Sequence, residues 1–209
     1  MNKALVIVFV KNIKLGKVKT RLAKTIGNQG AFEVYSELVK VTEKATKNLT
    51  ADKRIYFSDA VVDSKWSSDF KAVQEGIDLG ERMKNAFKKG FEDGYNRIVL
   101  IGSDLPDITA NHINKGLEAL KENDMVFGPA EDGGYYLIGL SKMNNLAFEN
   151  KPWSQTHLLE ETLQELNEKH ITFTTLETLN DIDTYEDLIA SKFYQFNTQL
   201  QEKIKQLHD

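Results

Sequence analysis

The chain contains no cysteine, so neither a disulfide framework nor a thiolate metal site can form, and its redox compartment is left open. Long hydrophobic runs are missing too. The apolar stretch at residues 4–10 is seven residues long, against the roughly 20 that a membrane-spanning helix needs. Lys11 follows it with no small-residue cleavage pattern, which argues against a secretory signal. A soluble cytoplasmic protein without a membrane partner is expected. The net charge of −4 does not favour nucleic-acid binding. No linker, low-complexity run or internal repeat interrupts the 209 residues, so one domain over 1–209 is expected.

Familiar catalytic and phosphate motifs are also missing. There is no glycine-rich dinucleotide fingerprint, and Gly16-Lys17 lacks the upstream glycine of a P-loop. No Gly-x-Ser-x-Gly elbow occurs. His112, His157, His170 and His208 have neither zinc-ligand spacing nor triad partners.

What is present begins with residues 4–24. The apolar run Ala-Leu-Val-Ile-Val-Phe-Val is followed by fourteen residues with six positive charges and no acid. A continuous Val/Ile-rich run reads as a strand buried on both faces, as in a parallel sheet covered by helices. The loop after such a strand opens at the carboxyl edge of the sheet, where α/β proteins place ligands. Cations concentrated there suit a polyanion, and a nucleotide phosphate fits a chain of this size. Taken as an extended loop, the segment would put Lys19 and Arg21 on one face, able to share a diphosphate. Lys14, Lys17 and Lys24 read as ordinary surface charges.

Helical spacing follows from Phe32 to Leu49, its start bracketed by Gly27 and Gly30. A short β-prone segment covers 54–58, and a helix runs from about Gly80 to a C-cap at Gly94. Residues 98–101 form a second buried strand entering Gly102-Ser103-Asp104-Leu105-Pro106. Then come a helix over about 110–122, strands at 125–130 and 135–140 around an Asp132-Gly133-Gly134 turn, and a helix over 156–169. A strand at 171–176 leads to Asp181-Ile182-Asp183, and a last helix starts near Tyr185. This alternation predicts a mostly parallel sheet between helical layers.

Asp104, just past a buried strand and at the same sheet edge as the basic loop, could hold Mg²⁺ or Mn²⁺ against phosphate oxygens. Asp107 or Thr109 is better placed to cap the next helix. A second carboxylate should come from Asp183 or Asp132. Asp183 could equally cap the final helix, and Asp132 could simply favour its turn.

Taken together, Gly16-x-Val18-Lys19-Thr20-Arg21-Leu22-Ala23, Asp78-Leu79-Gly80-Glu81-Arg82-Met83, Gly102-Ser103-Asp104-Leu105-Pro106, Gly128 to Tyr136, Trp153-Ser154 and Asp181-Ile182-Asp183-Thr184 resemble a bacterial glycosyltransferase-like family. Its members are often labelled arsenosugar-biosynthesis-associated glycosyltransferases or nucleotide-diphospho-sugar transferases. The opening is also similar to 2-phospholactate guanylyltransferases and, more distantly, molybdenum-cofactor nucleotidyltransferases. The resemblance implies a GT-A-like Rossmann three-layer α/β/α sandwich that binds a nucleoside phosphate with a divalent metal. By position, it implies Lys11, Lys19, Arg21, Gly80 and Arg82 for the nucleotide, and Asp104 and Asp183 for the metal. Two departures stand out. Ile13 replaces a usual proline, and Pro106 breaks the glycosyltransferase Asp-x-Asp after Asp104.

The leading expectation is a metal-dependent glycosyltransferase that moves a sugar from a nucleotide-diphospho-sugar to a small-molecule acceptor, with Asp132 available to deprotonate the acceptor. The first alternative is a nucleotidyltransferase that joins a nucleoside triphosphate to a phosphorylated small molecule and releases pyrophosphate. The other is a nucleotide-binding module without catalysis.

Overall fold

A computed structural model describes residues 3–207, which leaves His208 outside the described residues. β1 (Ala4–Val10) is the central strand. It lies parallel to β2 (Asp52–Phe57) on one side and to β4 (Arg97–Ile101) on the other. With β3 (Phe70–Val73), β5 (Met125–Pro129), β6 (Tyr135–Leu140) and β7 (Phe173–Thr175), they form one seven-stranded sheet in the order β3-β2-β1-β4-β6-β5-β7. Only β6 runs antiparallel to its neighbours. It can do so because the short Asp132–Gly134 turn folds it back from β5, whereas each parallel pairing needs a crossover.

The apolar run of β1 divides between two cores. Val6, Val8 and Val10 pack with Tyr35, Val39, Ile113 and Leu117 on one face of the sheet. Leu5, Ile7 and Phe9 pack with Met83, Phe87, Leu159 and Leu166 on the other. The first face is covered by α1 (Thr20–Thr46) and α3 (Ala110–Ala119), the second by α2 (Leu79–Glu92) and α4 (Leu158–Glu168). The α/β/α sandwich with a mostly parallel sheet is therefore as expected.

A third core explains why α1 carries apolar residues on more than one side. Leu22, Ile26, Val34 and Leu38 pack outward against Leu188, Leu200 and Ile204. Those belong to α5 (Tyr185–Ala190) and α7 (Thr198–Gln206), with α6 (Lys192–Gln195) between them.

Several local expectations need correction. Helix α1 is two helical segments that meet at Gly27, a non-helical kink at φ 72°: the longer one follows Gly27 as expected, and a first segment from Thr20 precedes it where an extended loop was expected. Lys19 and Arg21 therefore do not alternate along an extended loop: Lys19 is the left-handed N-cap and Arg21 lies in the first turn. The edge strand β3 escapes sequence reading because its residues are only partly buried, with Phe70 exposed. The final helix is broken into three where Ser191 and Asn197 side chains cap new starts. Thr109 caps α3 and pairs with His112 in a capping box. Thr184, not Asp183, caps α5. Among the described residues, no helix is long and apolar enough to cross a membrane.

Candidate functional site

The carboxyl ends of β1, β2 and β4 open into a cleft of about 700 Å³, lined by Lys11, Lys19, Thr20, Arg21, Tyr35, Ser58, Gln74, Leu79, Arg82, Ser103, Asp104, Ser154 and Asp183 among others. Its floor is a hydrogen-bonded lattice of loop ends. Buried Asn12 takes the Asp59 amide at 2.8 Å and gives its side-chain N–H to the Ala60 carbonyl at 2.7 Å, tying the loop after β1 to the loop after β2. The Lys11 amide donates to the Tyr35 hydroxyl at 3.0 Å, and that hydroxyl lies 2.7 Å from buried Ser103. Burial pushes the Tyr35 phenol up to about 12, the Ser103 hydrogen bond opposing, so it stays a neutral strut between β1, α1 and β4.

Above this floor lies a cluster of charges. The Lys19 ammonium, with its side chain only 5% exposed, is 3.0 Å from Asp104, 3.4 Å from Asp183 and 3.7 Å from Asp181. Burial works against its charge, but these three carboxylates outweigh it and hold the ammonium well above the usual lysine range. Arg21, largely exposed, adds a 3.0 Å contact to Asp183. The carboxylates also crowd one another. Asp181 is pushed up to about 6, first by burial and then by Asp104, Asp183 and Asp132, with Lys19 opposing.

The backbone that carries these cations also has spare hydrogen-bond donors. Lys19 makes no side-chain cap for α1, and the first turn contains no acid. The first amides of a helix have no partner within it and carry its positive dipole end, which suits an anion. Here that end opens into the cleft through Lys19, Thr20 and Arg21.

A smaller chamber of about 360 Å³ adjoins the first, and the two share Leu79, Asp104, Ser154 and Asp183. Asp132, Asp181, Tyr135, Tyr136, Trp153 and Gln155 complete much of its wall. Its shape depends on two glycines. At Gly133 (φ 87°) a Cβ would sit 1.7 Å from the Thr156 carbonyl, so only glycine lets the β5–β6 turn meet the start of α4. At Gly80 a Cβ would lie 2.6 Å from the Trp153 ring, so this glycine seats the tryptophan.

The structure thus brings Lys11, Lys19, Arg21, Arg82, Asp104 and Asp183 to one cleft, and Asp132 to the adjoining chamber. Gly80 lines neither; it packs beneath Trp153. Asp132 accepts the Gly134 amide at 2.9 Å, so it does shape its turn. Lys14, Lys17 and Lys24 line neither chamber. Sequence reading missed Asp181 as a member of the cluster. Its signal was the alternation in Asp181-Ile182-Asp183: Ile182 is buried in the third core, which turns both flanking carboxylates towards Lys19.

Asp104 and Asp183 present hard oxygens of the kind Mg²⁺ and Mn²⁺ take, and with Asp181 they set three carboxylates against the two cations Lys19 and Arg21. That surplus of negative charge fits a divalent cation. Among the described residues, no three His, Asp or Glu side chains stand ready to hold a metal as they are; the Lys19 ammonium occupies the centre of the carboxylates.

The mostly parallel seven-stranded sheet is a Rossmann-like α/β fold, and its relatives make the chain a transferase, nucleotidyl or nucleotide-diphospho-sugar transferase-like. Residues 41–155 match the family described as "Uncharacterized protein conserved in bacteria (DUF2064)", and the chain belongs to it. A crystal structure from Desulfovibrio desulfuricans G20, described as that of a candidate nucleotide-diphospho-sugar transferase, is 32% identical, with TM-score 0.84 and 99% of each chain covered. A 2-phospho-L-lactate guanylyltransferase from Methanocaldococcus vulcanius is 24% identical over 96% of this chain and 90% of its own length. The inositol-1-phosphate CTP transferase from T. maritima shares the fold at 16% identity and TM-score 0.54, with 98% of this chain and 96% of its own covered.

Proposed function

We propose that the protein is a metal-dependent nucleotidyltransferase, joining a nucleoside triphosphate to a phosphorylated small molecule and releasing pyrophosphate. The observation that carries this reading is the uncapped, acid-free start of α1 opening into the larger chamber beside Asp104 and Asp183. The named activities of the Methanocaldococcus and T. maritima relatives support it.

In this reading the triphosphate lies over the first turn of α1, where free amides, Lys19 and Arg21 receive its oxygens. Asp104 and Asp183 would hold Mg²⁺ or Mn²⁺, which supplies charge neutralisation between the polyphosphate and the carboxylates. An oxygen of the acceptor phosphate, entering from the smaller chamber, attacks the α-phosphorus. The bond from that phosphorus to the β-bridging oxygen breaks, and pyrophosphate departs with the electron pair. Lys19 and Arg21 stabilise the charge gathering on the departing group, an effect of charges already in place. A phosphate acceptor is largely ionised at neutral pH, so no general base is needed and Asp132 is left to its turn.

Sugar transfer from a nucleotide-diphospho-sugar is the second reading, favoured by the description of the Desulfovibrio structure. An acceptor hydroxyl would then need a base, and Asp132 is available in the smaller chamber. Product analysis with each nucleoside triphosphate and sugar nucleotide, with Mg²⁺ or Mn²⁺, separates the two: pyrophosphate in the first case, nucleoside diphosphate in the second. Asp132→Asn sharpens the choice. Nucleotidyl transfer to a phosphate should fall less than about threefold, whereas loss of a general base should cost about 10²-fold or more.

A further inference from the structure

β3 closes one side of the sheet and pairs only with β2, so half of its backbone groups face outward. The register says which half. The Gln74 amide donates to the Phe57 carbonyl at 2.8 Å, and Phe57 lies opposite Val73. In a parallel ladder a residue bonds to the two neighbours of its opposite number. Phe70, Ala72 and Gln74 therefore turn their backbone groups to β2, and Lys71 and Val73 turn theirs outward, where no further strand lies. An open row of this kind is a template for another strand.

The side chains at this edge are apolar for a sheet margin. Phe70 is 54% exposed, its ring resting on the Arg54 guanidinium at 5.3 Å, and Ile77 just past the strand is 92% exposed. Charge adds a second signal. Lys71 and Glu75 flank Val73 symmetrically in the sequence, and with the chain extended through Gln74 the three share one face. The Lys71 ammonium touches the Ser67 carbonyl at 3.4 Å, and among the described residues neither Lys71 nor the exposed Glu75 has an ion-pair partner. Laid antiparallel about a two-fold axis through Val73, two copies of this segment set each Lys71 opposite the other copy's Glu75. Each Phe70 then comes opposite Gly76, which has no side chain to crowd the ring. A lysine usually guards an open edge. Here it excludes a parallel copy in the same register, which would put Lys71 beside Lys71, and favours the antiparallel one.

We propose that the protein forms a homodimer through this edge, with two copies of β3 pairing antiparallel about Val73 so that one sheet runs through both. So short a seam falls below the roughly 1,000 Å² of a permanent interface, and the dimer is reversible, with a dissociation constant of about 1–100 μM. The partner strand lies beside Gln74, which lines the larger chamber, so association braces that wall. None of this depends on which group the enzyme transfers.

The test is sedimentation velocity of the full chain from low micromolar to near-millimolar concentration. The wild type should pass from monomer to dimer across that range. Lys71→Glu and Glu75→Lys each set like charges together and should weaken the dimer at least about tenfold. Mixed in equal amounts, the two variants should form a heterodimer about as tight as the wild-type dimer, because every pair across the seam is then of opposite sign. Recovery on mixing also shows that neither variant dissociates by unfolding. A wild type that stays monomeric throughout overturns the proposal and leaves the edge guarded, or open to a strand of a different protein. A dimer indifferent to both substitutions, or one not regained on mixing, overturns β3 as its seam.

Discussion

The two chambers share a wall but differ in charge and in how they are built. The larger one has Lys11, Lys19, Arg21 and Arg82 facing Asp104 and Asp183, along with the free amides of α1. The smaller has four aspartates, aromatic rings and no cation. The first is made from the ends of parallel strands and a helix start, so its donors come largely from the fold. The second is made from the β5–β6 turn, the segment before α4 and residues 181–183, so its character depends on individual side chains. Lys19 and its carboxylates stand at the boundary between the two.

The strongest way to break this division is Lys19→Met. It leaves three carboxylates without their shared cation, and because two of them are 40% exposed the cost is about 1–3 kcal/mol once solvent screening is allowed for. Turnover should fall about 10²–10³-fold, the usual loss when a group stabilising a leaving phosphate is removed. Urea denaturation with and without Mg²⁺ checks the first point. Added Mg²⁺ should stabilise the variant more than the wild type, and equal responses would show that Lys19 and the metal do not share these carboxylates.

Arg21→Glu comes next. Triphosphate binding should weaken by about tenfold at low salt and less at high salt, because the side chain is exposed and screened. Acceptor affinity, measured by the same titration, should hold, which tells the two chambers apart. Gly80→Ala probes the other side. Its Cβ would meet the Trp153 ring at 2.6 Å and the Phe148 carbonyl at 2.7 Å, costing about 1–3 kcal/mol through overpacking. Acceptor binding should suffer from the displaced ring while triphosphate binding does not.

The smallest effect is expected away from both chambers, at Asp124. The Lys142 ammonium, and behind it Thr172, hold this carboxyl below the usual range against a partial desolvation. A depressed folded value means the stabilisation is present above the ordinary carboxylate range and is lost as the pH falls through the folded value. Asp124→Asn should therefore cost up to about 1 kcal/mol at neutral pH, discounted for solvent screening, and nothing at strongly acid pH. Thermal melts at neutral and acid pH read the difference, with both chambers unaffected.

Much of this was legible in the chain. Seven apolar residues ending in a basic segment placed β1 at the centre of the sheet and a charged loop at its carboxyl edge, because a strand buried on both faces needs continuous apolar residues. Gly102 to Pro106 placed Asp104 beside it for the same reason. The helical segment before Gly27 was missed. It is held by Leu22 and Ile26 packing against α5 and α7, nearly the full chain away, whereas the glycine at 27 did mark the kink after which the long helix begins. Asp181 was overlooked because a carboxylate's neighbours across the sheet edge leave no mark on its local sequence.

The sequence alone determined the alternation of strands and helices, the two-faced core of β1 and the presence of cations and aspartates at the strand ends. These follow from periodicity and from which residues a strand can bury. Tertiary structure alone decided that Lys19 points inward to three carboxylates rather than outward to solvent, and that Asp132 and Asp181 fall in the smaller chamber while the other site cations line the larger one. That outcome depends on contacts between residues more than 80 positions apart, as in the pairing of Lys19 with Asp104, where backbone geometry, not local propensity, sets which charges meet.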